Sequence, residues 1–300
     1  MSELKLGMIG LDTSHCPAFT KLLNDPDNAH HVPGGRVVAA YPGGSRDMEA
    51  SYSRVGGFTE QMRDELGVEM KDSIEAVCEQ VDAVLLESCD GRQHLEQFEA
   101  IAPFGLPVFI DKPLAASTDD ALRIVELSRQ HDAPFVSSSS VRFSRGIVEL
   151  AEGREVQGCT AFGPASILDD FPGLFWYGIH IAEMIFAKMG RGCAKVTARK
   201  TELADVVTGV WDDGRVGVLY GHRIKKGPGF GCDVFYEGGV EQGVSQGDPP
   251  GYALLLEPVV EFFHTRKTPI DPMETVEIVA FLEAANQSRE TGETVELPLT

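Results

Sequence analysis

The alternation of short apolar runs with helical stretches in the first half of the chain constrains the fold most strongly. Five runs are predicted as strands: Leu4–Ile9, Val37–Tyr41, Ala83–Glu87, Val108–Ile110 and Phe135–Ser138. Five helices are predicted between them, near Pro17–Leu23, Met48–Leu66, Ile74–Cys78, Leu95–Ala102 and Asp119–Gln130. This order is typical of a parallel sheet covered by helices on both faces. The sequence therefore predicts a doubly wound α/β domain over residues 1–141.

The second half, residues 142–300, has a different pattern. A hairpin is predicted from Val206–Trp211 and Arg215–His222, joined by Asp212-Asp213-Gly214. The other predicted elements are a helix at Trp176–Met189, a strand at Cys232–Tyr236 and closing helices near Leu254–His264 and Glu274–Ser288. We expect an α+β domain with a mostly antiparallel sheet that serves substrate binding and oligomerisation.

Charge and cysteine usage narrow the classes of partner. The 26 basic and 46 acidic residues give a formal net charge of −20, which disfavours nucleic acid and anionic membrane surfaces. The six cysteines form no C-x-x-C pair, and no signal-type segment or long apolar run is present. The sequence predicts a reduced, cytoplasmic protein with a small-molecule substrate.

The turn after the first strand is where a Rossmann-type domain would bind the pyrophosphate of a dinucleotide. It reads Gly10-Leu11-Asp12-Thr13-Ser14-His15, so Asp12 and His15 replace the second and third glycines of G-x-G-x-x-G. In one interpretation the Thr13 and Ser14 hydroxyls and the backbone still hold phosphate. In the other, Asp12, Thr13 or Ser14 caps the helix, and the carboxylate repels a diphosphate.

The segment after the second strand bears on the choice between NAD and NADP. An NAD site favours an acidic residue for the ribose hydroxyls, whereas this chain has Tyr41-Pro42-Gly43-Gly44-Ser45-Arg46. Ser45 and Arg46 are suited to a 2′-phosphate, so NADP is slightly favoured. The alternative is a turn that carries a solvated arginine.

Further segments, in order, carry a family resemblance: Asp82–Leu86, His94, Gly105–Pro113, Val141–Phe143 and Gly178–Glu183. Together they resemble the glucose-fructose oxidoreductase, inositol dehydrogenase and MocA family. The resemblance implies an NAD(P)-dependent oxidoreductase acting on a sugar, polyol or related small hydroxy compound. It also implies cofactor contacts from His94 and Lys112, a substrate contact from Arg142, and a homodimer or homotetramer.

Two catalytic roles follow from the resemblance. In the family, a lysine after the fifth strand lies beside the nicotinamide, and a histidine takes the proton of the substrate hydroxyl. Lys112 and His180 match those positions. A histidine that titrates near neutrality is a suitable general base. The alternatives are a surface lysine and a helix histidine satisfied by its neighbours.

One departure from the family pattern weakens this assignment. The family has an aspartate one helical turn before the histidine, where this chain has Trp176, which cannot accept the imidazole proton. Tyr177, Asp169 or Asp170 are candidates to replace that acid, and Trp176 is either a wall for a sugar ring or a core aromatic. The competing function is a catalytically altered member that acts as a small-ligand binding or regulatory protein.

Possible metal ligands and a group of apolar strand positions are the remaining features of the sequence. His15, His30, His31, Asp12 and Glu87 are concentrated in the first domain, but no His-x-x-x-His pair supports them, so the sequence predicts no metal site. The apolar positions Val206, Val210, Val216 and Val218 are predicted to form an open sheet face for oligomerisation.

Overall fold

A computed structural model describes residues 3–297 and 299, and it divides the chain into two compact units. The first contains the chain up to Ala115, Asp119–Ser138 and Tyr252–Pro272. The second contains Ala116–Thr118, Ser139–Gly251 and the chain from Met273 onward. The division is therefore not collinear with the sequence, because the helical segment before Pro272 returns to the first unit rather than staying with residues 142–300.

The first unit is built on a six-stranded parallel sheet, as the sequence predicts. Its strands are β1 (Leu4–Ile9), β2 (Gly35–Tyr41), β3 (Glu69–Met70), β4 (Ala83–Leu86), β5 (Val108–Ile110) and β6 (Phe135–Ser137). Their order in the sheet is β3-β2-β1-β4-β5-β6. All residues of β4, β5 and β6 are buried, which is typical of parallel strands covered on both faces. The doubly wound α/β class is confirmed.

Helices connect these strands and cover the sheet. They are α1 (His15–Asn24), α2 (Glu49–Tyr52), α3 (Val55–Glu60), α4 (Ile74–Cys78), α5 (His94–Ile101) and α6 (Thr118–His131), and the returning segment forms α8 (Gly251–Thr265). The single helix predicted over Met48–Leu66 was wrong. It is broken after α2 and ends in a π-helical turn at Gln61–Glu65, and Gly56-Gly57, with low helix propensity, lie inside the short α3.

The second unit is built on a seven-stranded sheet. Its strands are β7 (Val156–Pro164), β8 (Cys193–Lys200), β9 (Ala204–Trp211), β10 (Val216–His222), β11 (Gly231–Tyr236), β12 (Gly239–Val244) and β13 (Val295–Glu296). The order is β12-β11-β7-β10-β9-β8-β13, and only β7 with β10 runs parallel among these pairs. The predicted hairpin is confirmed as β9 and β10, and the mostly antiparallel character is confirmed with it.

One face of this sheet packs on a helix and the other is open. Helix α7 (Gly178–Met189) packs on β7 and β10, and α9 (Pro272–Thr291) follows α8. A Cβ at Gly217 would lie 2.9 Å from Ile185 of α7, so that face is filled. On the alternate positions, Val216 and Tyr220 are each 40% exposed and Phe235 is 43% exposed. The second unit therefore presents an apolar sheet face.

Candidate active site

The turn between β1 and α1 lies against the loop that follows β4. Gly10 has a φ of +84°, and a Cβ there would lie 2.1 Å from the Ser88 hydroxyl and 2.5 Å from the Ser88 nitrogen. Its N–H also donates to the carbonyl of Tyr41. Only glycine fits this position, because the backbone approach and the positive φ both exclude a side chain. The turn thus keeps the first glycine of a dinucleotide loop at the carboxyl ends of β1, β2 and β4.

Asp12 points into the protein rather than toward a ligand. It is fully buried, and its carboxylate accepts hydrogen bonds from the Cys89 N–H at 2.9 Å and the Ser51 hydroxyl at 2.5 Å. The Ser51 oxygen in turn accepts the N–H of Ser45 at 2.6 Å. Two donors aimed at the carboxylate offset its charge. Asp12 therefore joins the first turn to the loops after β2 and β4.

The side chain of Ser14 does not cap the start of α1. Ser14 occupies the cap position with a helical φ of −64°, and its side chain accepts no hydrogen bond from the helix. The interpretation of a closed, self-capped helix is therefore wrong for Ser14. The N–H groups of the first turn are nevertheless engaged within it. The His15 N–H donates to the Thr13 hydroxyl at 3.4 Å, the Cys16 N–H to the Thr13 carbonyl and the Ala18 N–H to the Ser14 carbonyl, each at 3.3 Å, and Pro17 has no N–H.

A cavity of about 470 Å³ lies beyond the carboxyl end of β2. It is lined by Tyr41, Gly43, Gly44, Arg46, Ser73, Ile74, Glu75, Gln93, Glu96, Gln97 and Ala100. The side-chain oxygens of Gln93 and Gln97 are buried and lack a hydrogen-bond partner among the described residues. Buried acceptors without a donor are costly, so the cavity is suited to a ligand that brings hydroxyl or amino groups.

The two residues predicted to hold a 2′-phosphate are placed differently. Arg46 is exposed and lines the cavity. Ser45 is turned inward, and its hydroxyl donates to Asp90 at 2.7 Å. Asp90 also accepts two hydrogen bonds from Arg92, each of 2.8 Å. The structure brings Arg46 to the cavity but commits the Ser45 hydroxyl to the protein.

His94 lies inside the protein between two loops. Its Nδ1 lies 3.0 Å from the carbonyl oxygen of Pro113 and 3.1 Å from that of Leu114, and its Nε2 lies 2.7 Å from that of Ser88. The side chain is fully buried. His94 thus connects the loop after β4 to the loop after β5, and it fixes the segment that carries Lys112.

Four ionisable groups meet at the carboxyl ends of β4 and β5. Nδ1 of His15 lies 3.1 Å from Oδ2 of Asp111 and 3.6 Å from Oε2 of Glu87, and Nζ of Lys112 lies 3.3 Å from the same Asp111 oxygen. The Lys112 side chain is only 11% exposed. We call these four residues the strand-end cluster. Strands β1, β4 and β5 are neighbours, so their ends and the start of α1 converge there.

Burial and charge shift the pKa values within the strand-end cluster. Burial alone would lower the pKa of His15, but the nearby Asp111 carboxylate raises it to about 9. Burial raises the pKa of Glu87 to about 7. For Asp111, the charges of His15 and Lys112 outweigh burial and hold the pKa well below its usual range. Strongly perturbed groups in one place are typical of functional sites.

In the second unit, His180 has a hydroxyl partner. Its Nδ1 lies 2.6 Å from the Ser139 oxygen, which also accepts the N–H of Val141 at 3.2 Å. The ring contacts Tyr177 edge-on at 5.5 Å and Phe230 at 5.1 Å between ring centroids. A hydroxyl can orient an imidazole, although it cannot stabilise the imidazolium as a carboxylate does.

The residues considered as substitutes for the missing acid are spread around that helix start. Trp176 is half-buried and packs edge-on against Phe171 and Tyr177, each at 6.1 Å. Asp169 is exposed and Asp170 is half-buried. Ser139 is a hydrogen-bond partner of His180 that the sequence did not predict.

Arg142 is held by two acidic side chains of its own unit. Its guanidinium lies 3.1 Å from Oε2 of Glu183 and also contacts Glu274. The side chain is 13% exposed, and the two carboxylates raise its pKa. The pair with Glu183 ties the turn at Ser140–Phe143 to α7, so the predicted substrate residue is engaged within the protein.

Two of the strongest site features were missed as site residues from the sequence. The sequence places Asp111 only in the segment before Lys112, and it names Glu87 only among the first-domain residues considered for a metal site that it does not predict. The available signal was an acidic residue at the carboxyl end of each of two neighbouring buried strands.

One family model matches the first unit. The model of the oxidoreductase family with an NAD-binding Rossmann fold, GFO_IDH_MocA, matches residues 4–138. These residues are therefore similar to that family. The predicted resemblance to the glucose-fructose oxidoreductase, inositol dehydrogenase and MocA family is confirmed. The match covers the strand-end cluster, the first turn and the cavity beyond β2.

Solved structures show the same fold over nearly the whole chain. A protein of Thermotoga maritima described as a probable dehydrogenase is 20% identical, with a TM-score of 0.79 and coverage of 99% of this chain and 100% of that one. Myo-inositol dehydrogenase from Lactobacillus casei, solved with NAD(H) and myo-inositol, is 18% identical, with a TM-score of 0.79 and coverage of 100% and 98%. A search of curated proteins found no match. Within the described residues, no helix of the chain is long and apolar enough to cross a membrane.

Proposed function

We propose that this protein is an NAD(P)-dependent oxidoreductase that transfers hydride to or from a sugar, polyol or related small hydroxy compound. The observation that carries the proposal is the match of residues 4–138 to an NAD-binding oxidoreductase family. The fold of the whole chain is also similar to that of an inositol dehydrogenase solved with NAD(H) and myo-inositol.

The first unit fits a dinucleotide at two separate points. The Gly10 turn allows close backbone approach of a pyrophosphate, and the exposed Ser14 offers its hydroxyl at the start of α1. The cavity beyond β2 suits the adenosine part, because Gln93 and Gln97 offer buried acceptors to its amino and hydroxyl groups. Asp12 does not oppose this, since its carboxylate is buried and bonded to two donors.

The cavity lining bears on the choice of cofactor. Arg46 favours the 2′-phosphate of NADP, whereas Glu75 and Glu96 favour the free ribose hydroxyls of NAD. The inward-facing Ser45 adds nothing to a phosphate site. We propose that Arg46 alone supplies any preference for NADP over NAD.

The family resemblance assigns the catalytic roles to Lys112 and His180. When bound, the nicotinamide supplies the hydride acceptor or donor. Lys112, held by Asp111, provides a positive charge that attracts the substrate oxygen. If His180 donates its Nδ1 hydrogen to the Ser139 oxygen, Nε2 is the ring atom that would take the proton of the substrate hydroxyl. In this proposal Lys112 and His180 are the catalytic residues, and Ser139 is a positioning residue. We keep Tyr177, which contacts the His180 ring edge-on, as a candidate for a direct role in proton transfer.

One specific observation favours a second function, that of a small-ligand binding or regulatory protein. Trp176 stands where the family has its assisting carboxylate, and the contact on His180 Nδ1 is a neutral hydroxyl. A member with this site would bind the cofactor and a small ligand without turnover.

We also propose a homodimer or homotetramer built on the open face of the second sheet. Two exposed side chains of β10, Val216 and Tyr220, lie on that face. Phe235 lies on β11, which is separated from β10 by β7. Each of the three is at least 40% exposed. A contiguous apolar face of this kind is typical of an interaction surface.

The test of function is absorbance at 340 nm with NAD⁺ and NADP⁺ and a panel of inositols, sugars and sugar acids. The proposal expects turnover with at least one hydroxy compound, and its loss by roughly two orders of magnitude or more in Lys112→Ala. Tight cofactor binding with no turnover across the panel would instead support the binding-protein function.

A further inference from the structure

Three members of the strand-end cluster carry atoms that lack partners. Nδ1 of His15, both carboxylate oxygens of Glu87 and Oδ2 of Asp111 are buried and make no hydrogen bond to any residue that the structure describes. Glu87 is fully buried and Asp111 is 1% exposed. A buried carboxylate without donors is strongly unfavourable unless a cation compensates it. His15 lies 3.6 Å from Oε2 of Glu87, and Oε1 has neither a hydrogen bond nor an ion pair among the described residues, so the site has room for a further cation.

The three residues come from separate elements that the fold brings together. His15 is the first residue of α1, Glu87 follows β4 and Asp111 follows β5. One ligand-type atom from each lies within 4.8 Å of the others. Phe19 stacks on the His15 ring at 5.3 Å and Tyr252 contacts it edge-on at 4.9 Å, so the ring is fixed in this direction.

We propose that His15, Glu87 and Asp111 bind one divalent transition-metal ion, with His15 Nδ1 and one oxygen of each carboxylate as ligands. An imidazole nitrogen with two carboxylates suits Zn²⁺, Mn²⁺ or Fe²⁺ better than Mg²⁺ or Ca²⁺, which prefer oxygen alone.

The distances fit a common ion. Two ligand atoms about 2.0–2.1 Å from one ion lie roughly 2.9 Å apart in octahedral geometry and roughly 3.3 Å apart in tetrahedral geometry. The His15 nitrogen lies 3.1 Å from the Asp111 oxygen and 3.6 Å from the Glu87 oxygen. The distance to Asp111 lies between the octahedral and tetrahedral separations. The distance to Glu87 is longer than both, and a small movement of the Glu87 side chain would shorten it enough.

The site also has an open side. The His15 side chain is 12% exposed whereas the two carboxylates and Nδ1 are buried, so solvent reaches the site only along the His15 ring. A metal with three protein ligands and one open position binds a water or a substrate oxygen there. On the proposed oxidoreductase function, such an ion beside Lys112 would lower the pKa of a bound substrate hydroxyl.

Lys112 contacts Asp111 and leaves the Glu87 carboxylate to the metal ion. Its Nζ contacts Asp111 at 3.3 Å, and the Asp111 carboxylate can bridge a lysine and a metal, while both Glu87 oxygens are left for the ion. Binding would release a proton from His15, because a ligating imidazole is neutral.

The test measures metal content directly. The purified full-length protein is stripped with a chelator, dialysed against Zn²⁺ or Mn²⁺ and analysed by inductively coupled plasma mass spectrometry and calorimetry. We expect roughly one ion per chain in the wild type. Glu87→Gln and Asp111→Asn, which keep side-chain size, should weaken binding by about 100-fold or more. Circular dichroism of the stripped proteins confirms that each variant is folded.

His31→Gln is the matched control, because His31 lies in the same unit with its Nδ1 bound to the Leu22 carbonyl at 2.9 Å. It should retain the ion. Co²⁺ loading gives a second readout, since the visible bands of the wild type should disappear in His15→Ala. A stripped wild type that takes up less than about a tenth of an ion per chain, or a folded Glu87→Gln that binds as tightly as the wild type, would overturn the proposal. Because these readouts do not use turnover, they stand apart from the test of the oxidoreductase function.

Discussion

Replacing Asp12 tests whether this residue is a structural support or an obstacle to the cofactor. Its carboxylate accepts the Cys89 N–H at 2.9 Å and the Ser51 hydroxyl at 2.5 Å in a fully buried position. Hydrogen bonds to a charged group contribute about 1.5–3 kcal/mol each, and a buried N–H left unpaired costs about 1–3 kcal/mol. Asp12→Ala should therefore lower the free energy of unfolding by about 3–5 kcal/mol.

Asp12→Asn separates charge from hydrogen bonding. The amide keeps an acceptor for the Cys89 N–H, so we expect a loss of only about 1–2 kcal/mol. Thr13→Ala is the control in the same turn, and its single weak contact at 3.4 Å predicts a loss below about 1 kcal/mol. Urea unfolding followed by circular dichroism measures all three variants.

The cofactor affinity of Asp12→Asn tests whether the Asp12 carboxylate repels the diphosphate of the cofactor. Because the carboxylate is turned inward and bonded to donors, NADH affinity should change by less than about threefold. A tightening of about tenfold or more, equal to about 1.4 kcal/mol, would show that the carboxylate repels the diphosphate and would refute this account of the turn.

Three further predictions concern the other site residues and the sheet face. His180→Asn should lower turnover by about two to four orders of magnitude and leave cofactor affinity unchanged. Ser139→Ala should lower turnover less and shift the pH profile of turnover, because Ser139 only orients the ring. Equal turnover in the wild type and both variants would contradict this. Arg46→Ala should weaken NADPH binding by about tenfold and leave NADH binding unchanged in fluorescence titrations, whereas a parallel loss of both would remove the 2′-phosphate role. Phe235→Asp should shift the mass measured by light scattering toward that of a 32.5 kDa monomer, and a wild type that is already monomeric would contradict the assembly proposal.

The elements that the sequence predicted best are those whose pattern is local. Strands β1 and β5 were placed at the observed residues, because each is a short apolar run bounded by turn residues. The hairpin of β9 and β10 was placed within two residues, because Asp213 and Gly214 mark its turn. By contrast β7 and β8 were missed, since their polar and apolar residues mix on a sheet with one open face.

The site residues that sequence analysis missed depend on contacts between distant segments. Glu87 and Asp111 are 24 positions apart in sequence, and their proximity follows from the neighbouring placement of β4 and β5. The search for a metal site relied on local His spacing, which cannot detect ligands from three separate elements. Ser45 was misplaced for a similar reason, because its hydroxyl partner, Asp90, lies in a different loop.

Titration of the protein with NADH and NADPH, followed by nicotinamide fluorescence, tests the central claim most directly. Residues 4–138 match an NAD-binding family, and we propose that a dinucleotide binds at the Gly10 turn and in the cavity beyond β2. The account predicts saturable binding of at least one of the two with a Kd well below about 1 mM, which corresponds to about −4 kcal/mol. If neither cofactor binds below that concentration, the oxidoreductase proposal is contradicted.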